Sequence, residues 1–67
     1  MDIGKSINVG CALFNCNKNE LAKSIGKSVV TVSQYSNGHT NPSIATLKLI
    51  ADFFNVPVST FISWGEE

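Results

Sequence analysis

The side chains that most often carry out catalysis or bind metal are few and scattered in this sequence. Cys11 and Cys16 lie five residues apart on what we expect to be one helix, a spacing that does not direct the two thiols at each other for a disulfide. The chain has no Cys-x-x-Cys pattern, and His39 is its single histidine, so we expect no metal site. It also lacks paired carboxylates, a nucleophile beside a base and a phosphate-binding loop. We therefore expect neither an enzyme nor a cofactor, and we interpret both cysteines as small core or half-buried residues.

A more informative set of side chains lies further along the chain, in a segment that we predict to be helical. At about 100° per residue, Val32 and Tyr35 of this segment point to one side. The opposite sector contains Val29, Val30, Ser33, Gln34 and Asn37. A helix surface that faces only solvent usually carries Lys and Glu, whereas this sector is uncharged and partly apolar. Its composition is typical of a surface that contacts another molecule.

This sector belongs to the second of two short helices that a tight turn joins. Asn17 and Glu20 form a capping-box pattern at the start of the first helix, and Gly26 just past its end can adopt a left-handed conformation without steric cost. Ser28 is suited to cap the second helix. The run Val29–Val32 is rich in residues typical of strands, but it lacks alternating polar and apolar positions. We therefore predict two helices and no strand.

Three further helices flank this pair. Apolar residues at helical spacing predict a first helix from about Ile3 to Asn15, and a fourth helix from Ile44 to Phe54 after a Ser43 cap. Pro57 prevents simple continuation, so we predict a last short helix capped by Ser59. The sequence thus predicts a single all-α domain over residues 1–67, a compact five-helix bundle.

Charge is balanced overall but unevenly distributed. The chain has five Lys and Arg residues and five Asp and Glu residues, so its formal net charge is zero. Between Ile3 and Ala51, however, five lysines face Glu20 alone, which leaves that span at +4. A basic span of this kind suits a nucleic-acid partner, and the competing interpretation is that the lysines only solvate helices.

Length and hydropathy limit the remaining classes of function. A 67-residue chain buries only about 60% of its unfolded surface, which leaves no room for an enzyme cleft. No stretch approaches the roughly 18 apolar residues of a membrane span, and the N-terminus lacks the pattern of a signal peptide. We therefore expect a cytoplasmic protein with no membrane partner.

The order and spacing of these features resemble the helix-turn-helix domains of the Cro and repressor type, the Xre family. The matching pattern covers nearly the whole chain. Its helix-turn-helix part, at about residues 18–37, comprises Leu21, Ala22, Ile25, Gly26, Val32 and Tyr35. Its later part comprises Asn41-Pro42-Ser43 and then Leu47, Ile50, Ala51, Phe54, Val56, Phe61 and Ile62. The fold that this resemblance implies is a lambda-repressor-like bundle. Many members have Arg where this chain has Cys11 and Glu where it has Ser36, so one tie between the first and third helices is absent here.

The resemblance implies which residues contact DNA. The base-reading positions fall on Val29, Val30, Ser33 and Gln34. Gln can bond adenine through two hydrogen bonds, Ser can address several bases, and Val suits thymine methyl groups, so we expect a half-site that contains A and T. The competing interpretation of the valines is core packing, above all for Val29.

Phosphate contacts are expected at the helix starts and in the loop before the fourth helix. The candidates are Asn17, Lys18, Lys27, Ser28, Asn37, His39, Thr40, Asn41 and Ser43. Such contacts position a protein on DNA without reading its sequence. For each of these residues alone, helix capping or plain solvation is an equal alternative.

One recognition helix reads only a few base pairs, so we expect a homodimer on a palindromic site. The candidate dimer surface consists of Val56, Val58, Phe61, Ile62 and Trp64. For Trp64, the alternative is that it folds back as a lid over the core of its own subunit.

These observations predict a sequence-specific regulator of transcription that binds double-stranded DNA, most like the small Cro-type repressors of bacteriophages. It would act by occupying an operator, and we expect no small-molecule ligand. An antitoxin or a restriction-modification controller would have much the same sequence features. The alternative from another class is a protein-interaction module that kept this fold and lost DNA binding.

Overall fold

The computed structural model describes residues 2–66, and α-helix is the regular secondary structure of that range. The five helices are α1 (Ile3–Phe14), α2 (Lys18–Ile25), α3 (Val29–Ser36), α4 (Ile44–Phe53) and α5 (Val58–Trp64). The predicted all-α five-helix bundle is confirmed. The β-branched run at the start of α3 is helical, because its caps and its apolar side chains suit a helix that packs on a core.

Short side chains fix where the helices begin. Asp2 accepts a hydrogen bond from the Lys5 N–H at 3.0 Å. Asn17 accepts from the Glu20 N–H at 2.8 Å, and Glu20 accepts from the Asn17 N–H at 3.3 Å, so the predicted capping box is present. Ser28 and Ser43 cap α3 and α4 in the same way. Each cap satisfies a backbone N–H that a helix start leaves without an internal partner.

Three predicted helix boundaries differ from the structure. The first helix ends at Phe14, because Asn15 turns into the left-handed conformation with φ 53° and ψ 45°. The fourth ends at Phe53, one residue earlier than predicted. The last begins at Val58, with Pro57 rather than Ser59 at its N-cap and no capping side chain. The proline ring fixes φ of Pro57, observed at −64°, and no side chain satisfies the first N–H groups of this helix.

The core draws apolar side chains from all five helices. It comprises Ile3, Ile7, Leu21, Ala22, Ile25, Val32, Tyr35, Leu47, Ile50, Ala51, Phe54 and Phe61. Val56, Ile62 and Trp64 pack against it while half-buried. Nearly all the apolar residues that carried the resemblance therefore lie in or against this core.

Helix α1 lies unusually close to its neighbours because two of its residues have no side chain. A methyl group on Gly4 would lie 2.5 Å from the Ser36 carbonyl oxygen at the end of α3. A methyl group on Gly10 would lie 2.8 Å from the Phe54 ring and 2.9 Å from the Trp64 ring. The tie between α1 and α3 that an Arg–Glu pair makes in many relatives is thus replaced here by direct backbone packing.

Among residues 2–66, no single helix is long and apolar enough to cross a membrane. Helices α4 and α5 reach that composition only when they are taken together, and they are bent by 87° at the break between them.

Candidate nucleic-acid interface

Helices α2 and α3 form a pair of short helices joined by a turn with a fixed conformation. Gly26 has φ 74°, a left-handed value that glycine adopts without steric cost. The Lys27 N–H donates to the Ala22 carbonyl at 3.0 Å, which closes the end of α2. Leu21 and Val32 are fully buried between the helices. The angle at which α3 leaves the turn is therefore set by backbone geometry and core packing together.

The outer face of α3 is exposed along its length. Val30 is 63% exposed and Val29 is 40% exposed, and Gln34 is exposed one turn further on. Ser33 is half-buried between them and the core. The structure does not support core packing as the role of the valines. This surface therefore consists of the apolar pair Val29 and Val30 beside the amide of Gln34, and it carries no charge. On the other face of the same helix, Val32 is fully buried and Tyr35 is almost fully buried.

The loop that follows α3 is held at both ends. Gly38, with φ 79°, ends the helix, and the His39 N–H donates to the Gln34 carbonyl at 3.0 Å. This is the six-to-one hydrogen bond of a Schellman motif, which fixes the chain direction after a helix. Pro42 is buried at the other end of the loop. His39, Thr40 and Asn41 are exposed on this loop, and Asn37 is exposed just before it.

Three of the predicted phosphate contacts use their side-chain oxygens as helix caps. The Asn17 oxygen accepts from Glu20, Ser28 accepts from the Thr31 N–H at 3.2 Å, and Ser43 accepts from the Thr46 N–H at 3.3 Å. Capping, the alternative interpretation, is therefore observed for these three residues. Each cap also marks a helix start, where the remaining backbone N–H groups and the helix dipole favour an anion.

The predicted lysines lie beside these helix starts. Lys27 is exposed immediately before Ser28, and Lys18 is half-buried at the first position of α2. The acidic neighbour Glu20 points its carboxylate back at the Asn17 N–H at 3.3 Å.

An apolar residue that the sequence prediction of the site did not include is exposed at the start of α4. Ile44, the first residue of α4, is 85% exposed, the largest exposure among the large apolar side chains of residues 2–66. It directly follows the Ser43 cap. The helical period gave no signal for this exposure, because it places Ile44 beside Ala51, which is buried.

The predicted dimer surface needs one correction. Phe61 is 0% exposed and packs on the rings of Phe54 and Trp64, with centroids 6.0 and 5.9 Å away. A side chain without exposed surface cannot contact a second copy, so Phe61 is a core residue. Trp64 packs on Phe54 at 5.7 Å and on Phe14 at 6.2 Å while half-buried, as expected for a lid over the core. Val56, Val58 and Ile62 are half-buried as well.

The expectation for the two cysteines was correct for burial and wrong for geometry. Both are half-buried free thiols. Because α1 ends at Phe14, Cys16 leaves the helix and folds back, and its N–H donates to the Cys11 carbonyl at 3.1 Å. Burial, together with a side-chain hydrogen bond to Cys16, raises the pKa of the Cys11 thiol to about 11. The Cys16 thiol therefore lies near the Cys11 thiol, whereas the prediction placed both residues on one continuous helix.

Comparison with known proteins supports the resemblance to helix-turn-helix domains that the sequence indicated. The helix-turn-helix family model matches residues 12–61, about three quarters of the chain, from the last three residues of α1 into α5. Searches of curated proteins and of solved structures returned no significant match. The family's domain binds DNA and regulates transcription. The chain belongs to the Xre-type helix-turn-helix family of DNA-binding regulators.

Proposed function

We propose that this protein is a sequence-specific repressor that places α3 in the major groove of an operator. The observation that carries this proposal is the outer face of α3. Val30 is 63% exposed on a helix whose other face holds Val32 at 0% exposure, so an uncharged, partly apolar surface is presented rigidly to the outside. Base edges in the major groove offer both hydrogen-bonding groups and thymine methyl groups, which such a surface fits.

Within this proposal, the exposed side chains of α3 have separate roles. Gln34 bonds an adenine through its amide, and Val29 and Val30 contact thymine methyl groups. Ser33 lies deeper and contributes a single hydroxyl to a base. We accordingly propose half-sites that contain A and T.

Phosphate contacts come from the edges of the same surface. Lys18 and Lys27 supply positive charge, and the held loop supplies His39, Thr40 and Asn41, with Asn37 at its start. Because the side-chain oxygens of the capping residues Asn17, Ser28 and Ser43 accept hydrogen bonds from backbone N–H groups, we propose that these three positions contact phosphate mainly through backbone N–H groups.

We further propose that the repressor binds a palindromic operator as a homodimer, in a bacterial or phage-infected cell. Two recognition helices in successive major grooves lie about 34 Å apart. The domain measures 26 × 22 × 21 Å, so two copies side by side are of a size that suits this spacing. The half-buried residues Val56, Val58, Ile62 and Trp64 form the proposed contact, and Phe61 supports them from the core.

A protein-interaction module is the second candidate. It is favoured by apolar side chains at the end of α1, where Leu13 is 63% exposed and Phe14 is 52% exposed. A regulator that binds DNA does not by itself account for this exposure.

In vitro selection separates the two candidates. The purified chain is mixed with random duplex DNA at a stated, moderate salt concentration, and the bound pool is sequenced. The repressor proposal predicts an enriched palindrome with A and T at defined positions. Gln34→Ala serves as the matched control, because Gln34 is exposed and its loss should leave the fold intact. A folded protein that enriches no sequence would refute the proposed function and favour the interaction module.

A further inference from the structure

We propose that Cys11 and Cys16 form a redox modification site, a dithiol that closes to a disulfide within one chain. The inference concerns the junction of α1 and α2 and does not depend on the proposed operator binding.

The end of α1 brings the two residues together. Asn15 is left-handed, and the N–H groups of both Asn15 and Cys16 donate to the Cys11 carbonyl. In a helix end of this type, the two residues at the ends of the six-to-one hydrogen bond also place their side chains in contact. A disulfide needs Cα atoms about 4.4–6.8 Å apart. The 3.1 Å hydrogen bond from the Cys16 N–H to the Cys11 carbonyl oxygen brings the two backbones together at this helix end.

The surroundings of the two thiols favour a disulfide between them over a disulfide to another protein chain. Both pack against the apolar core while half-buried, and neither is already in a disulfide. The Cys16 thiol is near enough to contribute to the raised pKa of the Cys11 thiol, after burial as the first cause. A half-buried pair is reached by a small oxidant more readily than by a second protein chain, which favours an intramolecular product.

The two cysteines have different roles in the reaction. Burial raises the pKa of the Cys11 thiol, which disfavours Cys11 as the first nucleophile, and we therefore assign the first attack to Cys16. With a low-molecular-weight disulfide such as oxidised glutathione as the oxidant, the Cys16 thiolate attacks one sulfur, and one glutathione thiolate leaves. The Cys11 thiol then gives up its proton, and its sulfur displaces the second glutathione from Cys16. The protein loses two hydrogen atoms, and the oxidant is reduced to two thiols.

Mass spectrometry of the intact chain tests the proposal. The reduced protein is incubated with oxidised glutathione, quenched with acid and weighed. The expected product is a monomer that is lighter by two hydrogen atoms, resists alkylation when unfolded and regains its mass with a reductant. Peptide mapping should then link Cys11 to Cys16.

Two matched variants report on the intermediate. Cys11→Ser should stop at a stable glutathione adduct on Cys16, whereas Cys16→Ser should be modified several-fold more slowly, because burial still disfavours the Cys11 thiolate. If a variant does not fold, the mass and peptide map of the wild-type chain still decide the question. A wild-type chain that carries glutathione on both cysteines, forms linked dimers or stays reduced would overturn the proposal.

Discussion

Replacement of Gly4 by alanine tests how the structure positions the recognition helix. In an exposed helix, this change would stabilise the protein by about 1 kcal/mol, because Ala favours the helix and Gly does not. Here the new methyl group would lie 2.5 Å from the Ser36 carbonyl oxygen and 3.1 Å from the Tyr35 carbonyl oxygen. Both are backbone atoms, so the clash cannot be relieved by rotating a side chain.

The two effects have opposite signs, and the clash is the larger. Overpacking costs about 1–3 kcal/mol, and a collision with backbone belongs near the upper end of that range. Subtracting the gain in helix propensity leaves a net loss of about 2 kcal/mol in the free energy of unfolding. For a domain of this size, such a loss lowers Tm by roughly 10 °C.

Urea denaturation followed by circular dichroism measures this loss directly, and two variants serve as controls. Gly10→Ala meets the rings of Phe54 and Trp64, which can shift, so its loss should be smaller. Ala12→Gly, at an exposed position of the same helix, should cost only the propensity term of about 1 kcal/mol. If Gly4→Ala is as stable as the wild type or more stable, the close approach of α1 to α3 is not as described.

Three further predictions concern the site and the cysteines. Gln34→Ala should weaken the binding free energy for the best operator by about 1–3 kcal/mol and relax the base preference at one position. Binding to a panel of single-base operator variants measures both effects, and an equal loss on every sequence would contradict base reading by Gln34. Lys27→Ala should weaken binding to every duplex and reduce the slope of the logarithm of the binding constant against the logarithm of the salt concentration by about 0.9. Titrations at several salt concentrations measure this slope, and an unchanged slope would mean that Lys27 contacts only solvent. Alkylation of Cys11 in the folded chain should accelerate about tenfold per pH unit up to about pH 11, because its pKa is raised from 9.0 to about 11, whereas the urea-unfolded chain should level off near pH 9. An alkylation rate of the folded chain that levels off near pH 9 would contradict the raised pKa of Cys11. The same pKa shift means that the protonated Cys11 thiol stabilises the fold below pH 9, and that this contribution is lost as the pH rises through 11.

The absence of the Arg–Glu tie has a physical consequence for this member of the family. A buried ion pair requires two desolvated charges that compensate each other. In this chain, Ser36 is almost fully buried and donates its hydroxyl to the Ser33 carbonyl at 3.0 Å, within α3 itself. The contact with α1 is made by backbone at Gly4. The orientation of α3 is therefore set by packing, which salt and pH change little, rather than by an ion pair.

Local signals in the sequence determined the helices and most of the core. The capping pair Asn17 and Glu20 predicted the start of α2, and Gly26 predicted its end, because caps and left-handed turns depend on residues that are neighbours in the chain. The apolar stripes of α2, α3 and α4 predicted buried residues correctly, since a helical period defines one buried face. The outer face of α3 followed from the same period, as the remaining sector of that helix.

The tertiary structure decided what covers each face and where the chain turns back. Phe61 and Ile62 are neighbours in an apolar run, yet Phe61 is fully buried against the rings of Phe54 and Trp64, whereas Ile62 is half-buried. Cys11 and Cys16 were predicted to point apart on a continuous helix, and they meet because Asn15 ends α1 between them. Periodicity describes a face of one helix, whereas burial and contact depend on which other helix lies against it, and that is decided only when all five pack together.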